Sequence, residues 1–244
     1  MEAGWKAEAC TRLETPDSHY REGAACLRPG PGFFRVPSRP SRDLAVLLAA
    51  HQASLSKGPL RWLDLMAGCG IRGLRWGLEA WPEARSDVDL WVNDADPDRG
   101  DLLESNLRPL QGCAGLTVRT SHRSAERLLK QAYLDHIRFD LIDLDAFGCP
   151  NGLLQSALSV LRFGGLLILA STDGRSPTGH DRPGAVRHFG AAARAHPASW
   201  ECALRLQLAA LAREAWLLGR GLEPVASYSD GRTFRVVVRL RRRV

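Results

Sequence analysis

Long hydrophobic runs are absent from the sequence. No apolar stretch approaches the roughly 20 residues that a helix needs to span a bilayer. The first residues, MEAGWKAEAC, lack the apolar core of a signal peptide. We therefore expect a cytoplasmic protein with no membrane partner.

Paired cysteines are absent as well. The six cysteines are scattered along the chain without a CxxC pair, which argues against a zinc ribbon and against a small disulfide framework. We expect mostly buried thiols and no metal site.

Lysine is scarce, although the chain is basic. Only Lys6, Lys57 and Lys130 are lysines, and the formal net charge is +6. Arginine suits bidentate contacts with phosphate and stacking on bases. A compositional bias toward arginine gives the same numbers, so the charge is compatible with a nucleic-acid partner without establishing one.

The rest of the composition is that of a globular domain. Hydrophobic residues make up 45% of the 244 residues and charged residues 25%, which is ordinary for a folded chain. Residues 1–40 are rich in Gly, Pro and Arg and predict an N-terminal arm that is irregular or short-stranded. The main domain is predicted at 41–244, and its first helix ends before Gly58 and Pro59.

Apolar runs and helical patterns alternate through the middle of the chain. Strands are predicted at 60–65, 88–92, 116–118 and 139–144, and helices at 71–81, 97–107, 124–133 and 150–161. This alternation predicts parallel strands joined by crossover helices.

The last third of the chain predicts the end of the sheet. The segment GGLLILAST is typical of a strand covered on both faces, a loop is predicted at 173–184, and 199–219 show a long helical pattern. Two alternating runs around Asp230 and Gly231 predict a β-hairpin. The predicted fold is α/β, with a mostly parallel seven-stranded sheet that ends in an antiparallel β-hairpin and helices on both faces. It resembles the Rossmann-like class I methyltransferases.

A glycine-rich turn follows the first of these strands. The segment LDLMAGCGIRGL places Asp64 at the strand end and Gly68 and Gly70 before the helix, where glycines let a ligand approach the backbone. Asp94 ends the second strand, where a carboxylate can bind ribose hydroxyls. Asp64 suits an ammonium group, such as that of methionine, better than a pyrophosphate. A tight turn with capping carboxylates gives the same pattern.

The fourth strand ends in the segment FDLIDLDAFGCP. It puts Asp145 and Phe147 at the carboxyl edge of the sheet, where a carboxylate can accept hydrogen bonds from an amine and remove a proton. An aromatic ring can stack a base. DAFG resembles the Asp-x-aromatic part of the Asp/Asn-Pro-Pro-aromatic motif of amino-methyltransferases. Alternatively, Asp143 and Asp145 only terminate a strand, and Phe147 packs on the next helix.

Ordered motifs over most of the chain resemble those of the tRNA guanine-26 N2-dimethyltransferase family. The matching segments are Arg21-Glu22-Gly23, FFRVPSRPSRDLAV with Phe33, Arg42 and Asp43, Gly70-Ile71-Arg72-Gly73, Asn93-Asp94, DLDAFGCP from Asp143 to Pro150, Gly221-Leu222-Glu223-Pro224 and Ser227-Tyr228-Ser229.

That resemblance implies an enzyme that transfers methyl from S-adenosylmethionine to the exocyclic N2 amine of a guanine in tRNA, at position 26, once or twice. It implies that Asp145, Phe147 and Phe33 form the guanine pocket and the catalytic site. The implied cofactor-binding residues are Arg42 for the carboxylate, Asp64 for the amino group, Gly68 and Gly70 in the turn, Asp94 for the ribose, and Ala125 and Glu126 at the adenine end.

The chain departs from the family pattern in several places. Ser124-Ala125-Glu126 stands where Asp-Ala-Asn is usual, and Ala146 and Cys149 replace Pro and Ser. Family members usually carry a further C-terminal domain implicated in tRNA binding, so other regions are expected to share the RNA contacts. The candidates are the loop at 173–184, a second subunit, arm residues Arg28, Arg35 and Arg39, and tail residues Arg239, Arg241, Arg242 and Arg243.

Three other functions stay open at this point. They are an amino-methyltransferase acting on another substrate, a non-catalytic RNA-binding relative, and a nicotinamide-dependent oxidoreductase, which Asp64 disfavours.

Overall fold

A computed structural model describes residues 18–32, 34–84 and 86–243. Its centre is a seven-stranded sheet with the order β5-β4-β3-β6-β7-β9-β8. The strands are β3 (Leu60–Asp64), β4 (Val88–Asn93), β5 (Leu116–Ser121), β6 (Phe139–Asp145), β7 (Leu161–Ser171), β8 (Gly221–Ser229) and β9 (Phe234–Arg241). A separate hairpin precedes it, formed by β1 (Tyr20–Glu22) and β2 (Ala25–Leu27).

The direction of the crossovers changes between two neighbouring strands. The chain runs from β3 outward to β4 and β5, and then returns to place β6 on the other side of β3. All these strands are parallel, whereas β9 lies antiparallel between β7 and β8. Such a reversal opens a crevice at the carboxyl ends of the central strands. The predicted fold, including its final hairpin, is confirmed.

The helices cover both faces of the sheet. They are α1 (Arg39–Leu55), α2 (Ile71–Arg75), α3 (Gly100–Leu107), α4 (Ala125–Leu134), α5 (Leu154–Val160), α6 (Arg182–Phe189) and α7 (Ser199–Leu217). Residues of α1, α2 and α3 pack on one face, and residues of α4, α5 and α7 on the other. Adjacent residues Trp62 and Leu63 are both fully buried and belong to opposite cores, which explains why β3 has no polar face.

Two helices differ from the sequence prediction. The helix predicted at 71–81 is α-helical only through Arg75 and continues as a π-helical turn, Trp76–Ala80. The π-helical turn packs closely against Leu110: a Cβ atom on Gly77 would lie only 2.5 Å from the Leu110 side chain. Helix α6 starts inside the predicted loop at 173–184, where Asp181 caps it and Pro183 occupies its first turn.

The described part of the arm packs against the main core. Tyr20, Ala25 and Leu27 are buried there. They belong to the short strands β1 and β2, the second of the two alternatives, irregular or short-stranded, that the sequence predicts for the arm. The division into an arm at 1–40 and a domain at 41–244 stays a prediction. In the described ranges, no helix is long and apolar enough to cross a membrane, and the cytoplasmic location also stays a prediction.

Candidate active site

A cavity of about 440 Å³ opens at the carboxyl edge of β3, β4 and β6, where the crossovers reverse. Its wall includes the glycine turn after β3, the segment after β6 and part of the arm. Six of its lining residues matter most for its chemistry: Arg42, Gly68, Asp94, Asp145, Phe147 and Arg235.

The glycine turn brings backbone close to the cavity. Gly68 and Gly70 have φ values of +59° and +78°, a conformation that favours glycine. Among the described residues, no atom lies within 4 Å of the position that a Cβ on Gly68 would take, so a side chain there would enter open space. Gly70 is not part of the cavity wall. It packs against Leu103 instead, because a Cβ atom on Gly70 would lie only 2.9 Å from the Leu103 side chain.

The two acidic strand ends beside this turn have different positions. Asp94 lines the cavity, and its Oδ2 accepts the Gly68 N–H at 2.8 Å. Asp64 is fully buried beneath the turn, where its Oδ2 accepts the Gly73 N–H at 3.0 Å, and it is not part of the cavity wall. The geometry therefore gives Asp64 the role of supporting the turn, and its predicted contact with a ligand amino group stays a prediction.

Arg42 reaches the cavity from α1, but most of its donors are already used. The Glu22 carboxylate of β1 accepts hydrogen bonds from its Nε at 2.8 Å and its Nη2 at 2.5 Å. The Arg35 carbonyl accepts a third hydrogen bond, from Nη1 at 3.0 Å. Burial opposes ionisation of Glu22, but the contacts with Arg42 outweigh it and lower the pKa of that carboxyl. Arg75 also donates to Glu22, at 2.8 Å. One buried carboxylate thus ties the arm to two helices at the edge of the cavity.

Asp145 lies at the mouth of the cavity and is held by two arginines. Arg72 of α2 and Arg235 of β9 both donate to its Oδ2, each at 2.9 Å. Burial works against ionisation, but the charges of Arg72 and Arg235 outweigh it and lower the pKa of Asp145 to about 2. Asp145 is therefore a carboxylate at any working pH.

The segment after Asp145 is fixed to the end of β7. The Gly148 N–H donates to Thr172 Oγ1 at 2.7 Å, and the Gly148 carbonyl accepts from Ser171 Oγ at 2.8 Å. These bonds hold the loop although Ala146 stands where the family has proline. Phe147 is 72% exposed at the cavity mouth. Phe33, the other predicted pocket aromatic, lies outside the described residues.

The predicted adenine-end residues divide between two environments. Ala125, at the start of α4, lines the cavity. Glu126 does not: it is exposed and forms an ion pair with Lys130 at 2.6 Å. The placement of Glu126 on the outer face of α4 argues against the predicted cofactor contact, because consecutive helix residues point in different directions.

The family model described as N2,N2-dimethylguanosine tRNA methyltransferase matches residues 15–244. The chain belongs to this family.

Individual family members are similar over most of this chain. The tRNA (guanine(26)-N(2))-dimethyltransferase of Metallosphaera sedula is 28% identical over 235 residues, covering 96% of this chain and 57% of that protein. The enzyme of that name from Mus musculus is 34% identical over 181 residues, 74% of this chain and 26% of that protein. This chain therefore spans little more than half of the Metallosphaera relative.

One solved structure supports the same assignment, and a second shares only the fold. Trm1 from Pyrococcus horikoshii, solved with S-adenosyl-L-methionine, superposes with a TM-score of 0.80 at 26% identity, covering 93% of this chain and 62% of that chain. Trm5b from Pyrococcus abyssi has a TM-score of 0.58 at 14% identity, over 93% of this chain and 56% of that chain, and shares the fold alone.

The sequence prediction missed the two arginines that bind Asp145. Arg72 lies in the Gly-Ile-Arg-Gly motif of the family, where the glycines rather than the arginine indicate a ligand-binding turn. Arg235 interrupts the apolar pattern of β9 while being only 4% exposed. A charge at an inward position of a strand is a signal that a partner lies nearby, because buried arginines are almost always paired. In the described residues, no cluster of His, Cys, Asp and Glu suited to a metal ion was found.

Proposed function

We propose that this protein transfers methyl from S-adenosylmethionine to the exocyclic N2 amine of a guanine in tRNA, at position 26, once or twice. The observation that carries the proposal is an ionised carboxylate, Asp145, next to an exposed aromatic ring, Phe147, at the mouth of the cavity in a chain of this family. The names of its relatives and the bound ligand of the Pyrococcus horikoshii structure support it.

The cavity suits this cofactor in size and chemistry. Its volume of about 440 Å³ is within the range typical of small-molecule pockets, and the open space beside Gly68 leaves the backbone accessible. Asp94 and Ala125 would hold the ribose and adenine. Arg42 would bind the carboxylate with the one of its five N–H groups that is left after its contacts with Glu22 and with the Arg35 and Val36 carbonyls. When bound, the cofactor supplies a methyl group made electrophilic by a sulfonium sulfur.

The residues of this chain would prepare the acceptor amine. The lone pair of guanine N2 is delocalised into the ring, so the nitrogen is a weak nucleophile. Asp145 would accept a hydrogen bond from the amine and stabilise the positive charge that develops on nitrogen as the N–C bond forms. The bond between the methyl carbon and sulfur would break as the N–C bond forms, and the methylated nitrogen would then release one N–H proton to the Asp145 carboxylate. A strong base is not needed, because the cationic nitrogen is itself a strong acid. Phe147 would stack the base and fix its plane.

The tRNA phosphates would be bound at the same end of the sheet as the cavity mouth. Helix α6 adjoins the segment that follows Asp145, since Asn151 Nδ2 donates to the His188 carbonyl. The helix carries exposed Arg182 and Arg187. The predicted tail contacts lie elsewhere: Arg239 is in register with Leu166 of β7, four residues before Ala170, the β7 partner of Asp145. Four residues correspond to roughly 13 Å along the sheet. We therefore assign the tRNA phosphates nearest the target guanosine to α6 rather than to the tail.

The test is transfer of labelled methyl from S-adenosylmethionine to unmodified tRNA, followed by nucleoside mass spectrometry. We expect N2-methylguanosine or its dimethyl form with the wild type and none with Asp145→Ala. Asp135→Ala, on an exposed residue far from the cavity, serves as the matched control. If cofactor and tRNA both bind but no methyl is transferred, the alternative of a non-catalytic RNA-binding relative replaces the proposal.

A further inference from the structure

Three adjacent strands align one residue each beside the cavity. In the register of the sheet, Asp145 of β6 is the partner of Ala170 of β7, and Ala170 is the partner of Arg235 of β9. Directly paired residues point to the same face of a sheet, and neighbouring strands lie about 4.8 Å apart. An arginine side chain is long enough to cross one strand and meet a carboxylate on the next.

Arg235 makes this crossing. Its Nη2 lies 2.9 Å from Asp145 Oδ2, although the residues are 90 positions apart. Ala170 is fully buried between them, and its methyl group leaves room for the arginine stem. The side chain of Arg235 is 5% exposed, whereas that of Asp145 is 27% exposed. Both side chains line the cavity, but the arginine is almost entirely covered by protein, whereas the carboxylate is the more accessible of the two.

A second arginine binds the same oxygen from another direction. Arg72 donates its Nη2 to Asp145 Oδ2 at 2.9 Å and its Nη1 to Asp143 Oδ1 at 2.9 Å. Two donors on Oδ2 fix the rotation of the carboxyl group about its Cβ–Cγ bond. Because Oδ2 is directed to the two guanidinium groups, Oδ1 is the oxygen left to accept a hydrogen bond from the amine that receives the methyl group.

We propose that Arg235 is a positioning residue for methyl transfer: it reaches across Ala170 and, together with Arg72, turns Asp145 so that Oδ1 faces the acceptor amine. This inference rests on the proposed function, because it assigns a task to a carboxylate that acts only in that reaction. Arg235 acts through Asp145.

The pH profile separates positioning from simple structural support. The charged or titratable groups that face Asp145 are Arg72, Asp143, Asp64, Arg235 and Tyr228. Without Arg235, burial of Asp145 is opposed by Arg72 alone, so the pKa of Asp145 rises. Activity of the variant should then fall on the acid side of neutrality, at pH values where the wild type keeps full activity.

The variants are Arg235→Gln, Arg235→Lys and, as the matched control, Arg232→Gln, which lies on the same hairpin and is exposed. We expect Arg235→Gln to lower kcat by about 10- to 100-fold, less than the roughly 10²- to 10⁴-fold that a complete acid–base group contributes, with little change in KM for tRNA and an acid limb moved to higher pH. Arg235→Lys should have a kcat and an acid limb between those of Arg235→Gln and the wild type. Arg232→Gln should match the wild type in both. Cofactor affinity, measured by calorimetry, should be unchanged in all three.

A steric variant tests the path across β7. Ala170→Leu should reproduce the kcat and pH effects of Arg235→Gln while Arg235 itself is intact, and Ala170→Gly should not. Equal kcat and equal pH profiles for the wild type and Arg235→Gln would overturn the inference. If Arg235→Gln does not fold, an unchanged profile in Arg235→Lys and Ala170→Leu overturns it. Absence of transfer by the wild type would instead overturn the proposed function.

Discussion

Asp64 and Asp143 are register partners on the adjacent parallel strands β3 and β6, and both are fully buried. In the described part of the chain, Asp64 Oδ1 and Asp143 Oδ2 have no hydrogen-bond partner. Burial raises the pKa of Asp64 to about 7 and that of Asp143 to about 6. These two fully buried acids are thus protonated more readily than Asp145, which lines the cavity and is held by two arginines.

The first prediction concerns stability against pH. Between pH 4 and 7 folded Asp64 holds a proton that the unfolded chain has released, so the free energy of unfolding declines as pH rises through this range. Asp64→Asn cannot titrate at this position. Because the pKa of Asp64 is raised from 3.8 to about 7, the variant should gain on the order of 4 kcal/mol relative to the wild type from pH 4 to 8, at about 1.4 kcal/mol per pKa unit. Urea denaturation at several pH values measures this.

A matched substitution checks that assignment. Asp135→Asn removes an exposed carboxylate and should give a stability curve parallel to that of the wild type. If the stability curve of Asp64→Asn is also parallel to that of the wild type, Asp64 is ionised in the folded protein throughout this pH range. The conclusion that burial raises its pKa is then wrong.

The second prediction concerns the glycine turn. Gly68→Ala should weaken binding of S-adenosylmethionine by at least 10-fold, because its Cβ would enter the space assigned to the cofactor. Gly112→Ala is the matched control: its φ is +79°, and no described atom lies within 4 Å of its Cβ position, yet it is remote from the cavity. Both should destabilise the fold to a similar degree, and calorimetry should show weaker binding only for Gly68→Ala. Equal affinities would remove Gly68 from the site.

The third prediction concerns the buried carboxylate of the arm. Glu22→Gln leaves Arg42 and Arg75 buried without their shared counter-charge, which typically costs about 3 to 5 kcal/mol of stability. Hydrogen exchange should become faster in β1 and β2. Glu201→Gln breaks an exposed pair with Arg205 and should cost less than about 1 kcal/mol. Similar small losses for both would show that Glu22 does not fasten the arm.

The fourth prediction compares the two edges of the sheet. Arg182→Gln combined with Arg187→Gln should lower tRNA affinity and reduce its salt dependence by up to about two units of slope. Arg242→Gln combined with Arg243→Gln removes the same charge at the opposite edge and should have a much smaller effect. Filter binding of wild-type and double-variant proteins across a salt series measures both. A larger loss from the tail variant would reverse the assigned orientation of the tRNA.

Local pattern was sufficient for the fold. Alternating apolar runs and helical segments predicted the parallel sheet, and Asp230 with Gly231 predicted the final hairpin, because both signals depend on residues that are neighbours along the chain. Ordered motifs were sufficient for the family. Helix α6 was missed, since its first turn combines Pro183 with Gly184 and looks like a loop.

The sequence alone determined which residues are available at the carboxyl edge: Asp64, Asp94 and Asp145 each end a strand, and parallel strands bring their ends together. Only the tertiary structure decided what each one does. Strand order and register bury Asp64 beneath the turn and bring Arg235 across Ala170 to Asp145, and the antiparallel direction of β9 carries Arg239 away from the cavity. Contacts of this kind join positions far apart in sequence, so no local period records them.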